Sequence, residues 1–236
     1  SNLTPFIIRV IFLLDLIFFK KSKYLIFLDS SKSNIINLIS FFYKRSFIIG
    51  SSKKLKNNFN KNISLDENLH LSESLIKFLP PEVKKGNNQI SINNEFFYIT
   101  KNQMIENYIV FAPGSGELEK HKRWPYENYS KLANLLIKNK INIIVIGSKN
   151  EKNLLKKILE SSQNKKLSQF IPNNLEDSLS LFKFAKLIIG GDSGNLHLAS
   201  AVNENILAIW GPTNKYKTSP KTNKIKFIDL DLPCSP

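Results

Sequence analysis

Asp192, Ser193 and His197 stand within about one helical turn of each other, directly after Gly190-Gly191, in the run Leu-Ile-Ile-Gly-Gly-Asp-Ser-Gly-Asn-Leu-His that spans 187–197. An acid, a hydroxyl and an imidazole at this spacing can divide the work of holding a ligand with both phosphate and sugar parts. The Ser193 hydroxyl and the N–H groups of Gly194 and Asn195 suit a diphosphate. Amides at the start of a helix lack internal partners and carry the positive end of its dipole. His197 can donate to a phosphate oxygen, and Asp192 can accept from sugar hydroxyls. The bland alternative is that Asp192 and Ser193 merely cap the helix, a role worth ~1 kcal/mol. The preceding glycine pair and the position at a strand's carboxyl end favour the ligand.

A second constellation lies in 113–125, where Gly114, Ser115 and Gly116 precede Lys120, His121, Lys122 and Arg123. Lys122 is the best candidate to neutralise a diphosphate as charge builds on a departing nucleotide. Ser115 and Gly116 are further candidate contacts, while Lys120 and Arg123 are expected to face solvent. Glu151, after Gly147-Ser148, either accepts from a ribose hydroxyl or is an ordinary first-turn acid. Thr213, in the turn Gly211-Pro212-Thr213 after Trp210, is a plausible contact beside the Asp192 loop. Asp29 either meets an acceptor or caps the turn after its strand.

These residues need a scaffold that brings loops after 112, 147, 190 and 210 together. Short apolar runs at Tyr108–Ala112, Ile141–Ile146, Leu187–Gly190 and Ile206–Trp210 read as buried strands. Helical stretches follow at 126–138, 150–160, 178–185 and from Asn195, with Phe170-Ile171 as a short strand. On the first of these helices Tyr129, Leu132, Leu135 and Leu136 form the apolar stripe. Near-continuous apolar strands, each followed by a helix, indicate a parallel sheet covered on both faces, with ligands beyond the carboxyl ends. Upstream, Phe6–Phe19 and Ile35–Tyr43 read as helices, and Tyr24–Leu28 and Phe47–Ile49 as strands. Residues 51–68 read as a mobile loop and Leu69–Leu79 as a helix stopped by Pro80-Pro81. The stretch 82–105 reads as a linker with a short extended piece at 95–99. The domains are expected at 1–100 and 101–236.

Composition bounds the partners. The 236 residues are 42% hydrophobic, enough for real cores. The net charge of +15 points to anionic partners. Only Arg9, Arg45 and Arg123 are arginine, however, and the lysine, asparagine and isoleucine abundance looks like a coding bias. Aromatics are too scattered among the basic segments to argue for nucleic acid. One cysteine, Cys234, excludes an internal disulfide framework. Three histidines and that cysteine show no metal-ligand spacing. Neither a Walker-type loop, a Gly-x-Gly-x-x-Gly element nor a Gly-x-Ser-x-Gly elbow occurs. The apolar run Phe6–Phe19 is too short to span a bilayer and suits burial or docking at a membrane surface.

The pair of motifs Ala112-Pro113-Gly114-Ser115-Gly116…Lys122-Arg123-Trp124-Pro125 and Gly191-Asp192-Ser193-Gly194-Asn195-Leu196-His197-Leu198-Ala199…Gly211-Pro212-Thr213 resembles glycosyltransferase family 9, the ADP-heptose:lipopolysaccharide heptosyltransferases. The resemblance covers 107–220 and extends more weakly to 24–50, where Asp29 matches a family aspartate. It implies an α/β, GT-B-like fold of two Rossmann-like domains, the first incomplete, with the nucleotide-sugar donor in the second. It implies inverting transfer of heptose from ADP-heptose to the lipid A–Kdo inner core of lipopolysaccharide, or to a heptosyl acceptor on it. No metal or other cofactor is implied. The anionic glycolipid acceptor would be met at the cytoplasmic face of a Gram-negative-type inner membrane, by peripheral contact and without nucleic acid. By matching position, Lys122 would contact the donor phosphates and Asp192 the heptose hydroxyls. Ser193 and Gly194 would hold the diphosphate beside His197, and Glu151 is carried over as well. The family's general base lies in a Gly-Asp loop before the region matching Phe6–Phe19, and inversion needs such a base. The chain is therefore expected to be either a fragment of a longer enzyme or a shortened relative that binds a nucleotide sugar and transfers poorly. Transfer of another nucleotide-activated sugar is the alternative activity.

Overall fold

The computed structural model describes residues 23–27, 47–51, 59–66, 68–84, 86, 107–162, 164 and 166–230. Expectations for Phe6–Phe19, Asp29, Ile35–Tyr43 and 95–99 lie outside them. The chain divides into two compact units, Ser1–Lys85 and Gly86–Pro236.

In the first unit, strands β1 (Tyr24–Phe27), β2 (Phe47–Gly50) and β3 (Lys61–Asn62) form a parallel sheet in that order. The third strand corrects the reading of 51–68 as a mobile loop. Lys61 and Asn62 carry no apolar signal. They are held because Phe59 and Ile63, on either side, are buried, and because Asn60 Oδ1 accepts from Ile48 N at 2.6 Å. Helix α1 (Leu71–Ile76) follows, shorter than expected, with the His70 ring accepting from Ser72 N at its start. Beyond Pro80-Pro81, Glu82 accepts from Lys23 Nζ at 2.5 Å and Tyr24 Oη at 2.7 Å. Lys23 first, then the Tyr24 hydroxyl, pull the Glu82 carboxyl down to about 2.

The second unit is a six-stranded, all-parallel sheet: β4 (Tyr108–Ala112), β5 (Asn142–Ile146), β6 (Leu167–Phe170), β7 (Leu187–Gly191), β8 (Ile206–Ile209) and β9 (Lys226–Ile228). Their spatial order is β6-β5-β4-β7-β8-β9. Side chains alternate across each strand, so one sheet feeds two cores. Ile109, Phe111, Ile143, Val145 and Ile189 face one way, where helices α2 (Tyr126–Lys138) and α3 (Lys152–Ser162) cover them with Tyr129, Ala133, Ile137, Leu155 and Ile158. Val110, Ile144, Ile146 and Ile188 face the other way. There α4 (Leu175–Phe184) and α5 (Gly194–Ser200) cover them with Leu181, Phe182, Leu196 and Ala199. Leu135 corrects the expected stripe: it is 59% exposed, because the buried face of α2 runs through Tyr129, Ala133 and Ile137, about one and two turns apart. The chain builds outward from β4 to β6, then returns to start β7 on the other side of β4. That reversal is a topological switch point, with loops leaving to opposite faces and a crevice between them.

A short helix α6 (Lys215–Thr218), capped by the Asn214 side chain, and β9 complete the unit. Neither was anticipated from the sequence. Among the described residues no helix is long and apolar enough to cross a membrane.

Candidate functional site

Four loops meet at the carboxyl ends of β4, β5, β7 and β8. Gly190 shows how tightly β7 and β4 approach: a Cβ there would stand 2.8 Å from the Ala112 carbonyl oxygen and 2.7 Å from Leu196. The glycine lets the first turn of α5 settle against the β4 end. Just beyond, a Cβ on Gly191 would lie 3.5 Å from the Lys122 carbonyl oxygen. The long loop after β4 therefore folds back over the end of β7.

That loop is not irregular throughout. Residues Glu117–Lys122 form a 3₁₀ turn, and Trp124 stacks edge-on against buried Tyr129 with ring centroids 4.9 Å apart. The turn aims Lys122 inward. Its ammonium lies 2.5 Å from Glu119 Oε1 and 3.1 Å from Asp192 Oδ2, and the Lys122 and Asp192 side chains are only 14% and 11% exposed. The Glu119 carboxylate raises Lys122 above its ordinary value, with Asp192 adding to it and burial opposing. Asp192 Oδ2 also accepts from Thr213 Oγ1 at 2.8 Å. Thr213 is held in turn, because buried Trp210 donates from Nε1 to its carbonyl at 2.8 Å. Lys122, Asp192 and Thr213 thus form one polar chain across three loops.

Beside it lies an open pocket of about 640 Å³, lined by the 114–117 loop, by Ser148, Asn150 and Glu151, by Ser193, Gly194 and Asn195, and by the apolar side chains of Leu175 and Leu198. Ser193 occupies the N-cap position of α5, but its side chain makes no capping hydrogen bond. Its hydroxyl is buried with no hydrogen-bond partner among the described residues. The purely capping reading of Ser193 therefore fails. A buried hydroxyl without a partner costs roughly 1–3 kcal/mol, a cost that a ligand oxygen in the pocket would offset.

Glu151 lines the pocket and also does the local work of a first-turn acid. Its Oε2 accepts from both the N–H and the hydroxyl of Ser148, at 2.8 Å each. This is the reach-back arm of a capping box. Ser115 lines the pocket with its hydroxyl hydrogen committed to the Glu119 carbonyl at 2.9 Å. Gly116 and Gly194 are exposed pocket wall. His197 sits on the exposed side of α5 and does not line the pocket.

Arg123 corrects the expectation that it faces solvent. Its side chain is 15% exposed. It donates from Nε to Ser115 Oγ at 3.0 Å and from Nη2 to the Ser115 carbonyl at 2.7 Å, and it approaches Glu151 Oε1 at 3.5 Å. The signal available in the sequence was its rarity, one of three arginines among 34 cationic residues. Arginine offers a planar fork that lysine lacks. Lys120 does point outward, paired with Glu117. Glu119, Ser148, Asn150, Leu175 and Leu198 were not anticipated as site residues; Leu198 lies within the 191–199 motif but carries no polar signal, and only the folded loops bring the others to the site. Among the described residues no group of three or more His, Cys, Asp or Glu stands close enough to hold a metal ion.

Comparison with known proteins follows the same outline. Over 127 residues the chain is 32% identical to lipooligosaccharide heptosyltransferase 2 of Haemophilus influenzae, a match covering 52% of this chain and 36% of that protein. The chain thus spans little more than a third of that relative's length. The structure of E. coli ADP-heptose lps heptosyltransferase II superposes with a TM-score of 0.72 at 23% identity, over 90% of this chain and 70% of that one. E. coli heptosyltransferase WaaC with ADP superposes with a TM-score of 0.70 at 15% identity, over 96% and 72%. At these identities the superpositions speak for the fold, a GT-B-like α/β arrangement with parallel sheets. Residues 30–236, which include every loop of the pocket and of the polar chain beside it, match the glycosyltransferase family 9 (heptosyltransferase) pattern, and the chain belongs to that family.

Proposed function

We propose that the second unit binds the nucleotide-sugar donor of an inverting glycosyltransferase, with ADP-heptose as donor and the lipopolysaccharide inner core as acceptor. The observation that carries this reading is the pocket at the switch between β4 and β7, with the unpartnered Ser193 hydroxyl buried in its wall. The Haemophilus relative is a lipooligosaccharide heptosyltransferase, and WaaC was solved with ADP. Both support the choice of sugar and nucleotide.

In this reading the base lies between Leu175 and Leu198, and a ribose hydroxyl donates to Glu151. The diphosphate meets Ser193 and the amides of Gly194 and Asn195. The sugar turns toward Asp192, and Thr213 holds that carboxylate in place. Lys122 moves from Glu119 to the phosphates as the bond to the anomeric carbon lengthens, because charge accumulates on the leaving diphosphate. His197, on the exposed side of α5 and outside the pocket lining, takes no part in this reading. An acceptor hydroxyl attacks the opposite face of the anomeric carbon and a base removes its proton, which gives inversion. The acceptor is an anionic glycolipid, met by peripheral contact with the cytoplasmic face of the inner membrane.

Titration calorimetry of the full-length enzyme with ADP and ADP-heptose tests the assignment. Both ligands bind the wild-type protein, Lys122→Met weakens both, and Asp192→Ala weakens ADP-heptose more than ADP. A folded protein that gives no heat with either ligand at millimolar concentration refutes it, and a preference for UDP- or GDP-sugars replaces the nucleotide.

A further inference from the structure

We infer that Arg123 is a positioning residue: it sets the spacing between the two loops that would grip a nucleoside diphosphate, and it acts on the nucleoside end rather than on the phosphates. The inference rests on the nucleotide-sugar reading above.

Arg123 does not line the pocket, whereas Ser115 and Glu151, the residues it holds, both do. Ser115 belongs to the loop after β4 and Glu151 to the turn after β5. One guanidinium plane spans both, with Nε and Nη2 on Ser115 and the same Nη2 facing Glu151 Oε1. The held groups have little freedom left. The Ser115 hydroxyl accepts from Arg123 while donating to the Glu119 carbonyl. Glu151 Oε2 is occupied twice by Ser148. Oε1 lies so close to Gly114 that a Cβ there would stand 2.0 Å away. The carboxylate is wedged between the bare Cα of one loop and the cation that closes the gap, with its side chain only 10% exposed.

Without the fork, Glu151 Oε1 loses its cation in a poorly hydrated position, and the loop carrying Ser115 loses two anchors. The carboxylate then rotates out of register with a ribose hydroxyl. The amide groups at Ser193–Asn195, on a different loop, keep their places. A lysine at 123 retains the charge but reaches one acceptor at a time.

The test uses the full-length enzyme and two probes, ADP and inorganic pyrophosphate, titrated into the wild type and into Arg123→Lys, Arg123→Met and Ser115→Ala. Loss of one charge-assisted hydrogen-bond set corresponds to about tenfold in affinity. Both Arg123 variants are expected to lose about that for ADP, and at least about fivefold less for pyrophosphate. Ser115→Ala, which keeps the carbonyl and Glu151 arms, loses less than about threefold for ADP. In turnover the KM for the sugar nucleotide rises while kcat stays near wild type. Should Arg123→Met fail to fold, Arg123→Lys decides, with its thermal midpoint compared to wild type. Equal losses for the two probes mean direct phosphate contact and overturn the inference, as does unchanged ADP affinity in either folded variant. Absence of binding to both probes in the wild type removes the nucleotide-sugar reading itself, and this inference with it.

Discussion

Gly194→Ala separates the fold from the site, because the two respond with opposite signs. Gly194 is the first residue of α5, exposed and part of the pocket wall. A Cβ built there meets nothing within 4 Å, and no glycine among the described residues has a positive φ. Alanine therefore fits without strain. It also restricts the unfolded chain more than glycine does, a gain of about 0.5 kcal/mol. For a unit of this size that raises the melting midpoint by about 1–2 °C. The same methyl group projects into the space from which a phosphate oxygen would reach the amides of Gly194 and Asn195. Pushing that oxygen back out of hydrogen-bond range removes roughly 1.5 kcal/mol or more, about tenfold in affinity for ADP. Differential scanning fluorimetry and calorimetric titration on the same preparation read both quantities. Affinity unchanged at a raised midpoint would show that no phosphate approaches this helix end. A midpoint lowered by several degrees would show that the backbone at 194 is not what the geometry says.

Two further outcomes follow from contacts away from the pocket. Gly190→Ala forces a methyl group against the Ala112 carbonyl, so β4 and β7 must separate; a loss of about 2 kcal/mol or more in urea unfolding is expected, and a loss under about 0.5 kcal/mol would contradict the close approach. Glu82 has its carboxyl held down to about 2 by Lys23 and Tyr24; because the shift is downward, its contribution to stability is complete above the ordinary carboxylate range near 4.5 and is lost as pH falls toward 2. Carbon-detected NMR titration reads that midpoint directly, and a value near 4.5 would mean the contacts do not persist in solution.

Strands β4, β5, β7 and β8 were legible because parallel strands buried on both faces must be apolar at every position, as Tyr108–Ala112 is, whereas β6, expected at Phe170-Ile171, runs over Leu167–Phe170 and carries polar Ser168 and Gln169. Helices α2 to α5 were legible by period, though the stripe drawn on α2 wrongly included Leu135. Leu135 is as apolar as Leu132 and Leu136, which do pack against the core, and Ala133 and Ile137 mark the buried face that excludes it. Strand β3 was hidden because its two residues are polar, while its backbone pairs in parallel register with Ile49 and Gly50. Strand β9 is too short, at three residues, for alternation to register. At the site, Asp192, Ser193, Lys122 and Glu151 were legible from their places after strands and glycines. Arg123 was misjudged because its direction depends on the 3₁₀ turn before it, and an irregular loop predicts no side-chain direction. Glu119 was missed for the same reason: it reaches Lys122 only across that turn.

The carboxylates around Lys122 and Arg123 bear on how fast and how long a ligand stays. Two cations there face three acids, Glu119, Glu151 and Asp192, while the chain as a whole carries +15. The side-chain charges at the crevice therefore add little to the attraction for polyanions until an incoming charge displaces an acid, and the amides at the start of α5 are what it offers first. Long-range lysine fields hasten encounter and weaken with ionic strength, whereas residence depends on contacts that salt hardly reaches. Adding salt should slow arrival and leave departure nearly untouched. Such a division lets an enzyme sample many phosphates at its surface yet retain few of them.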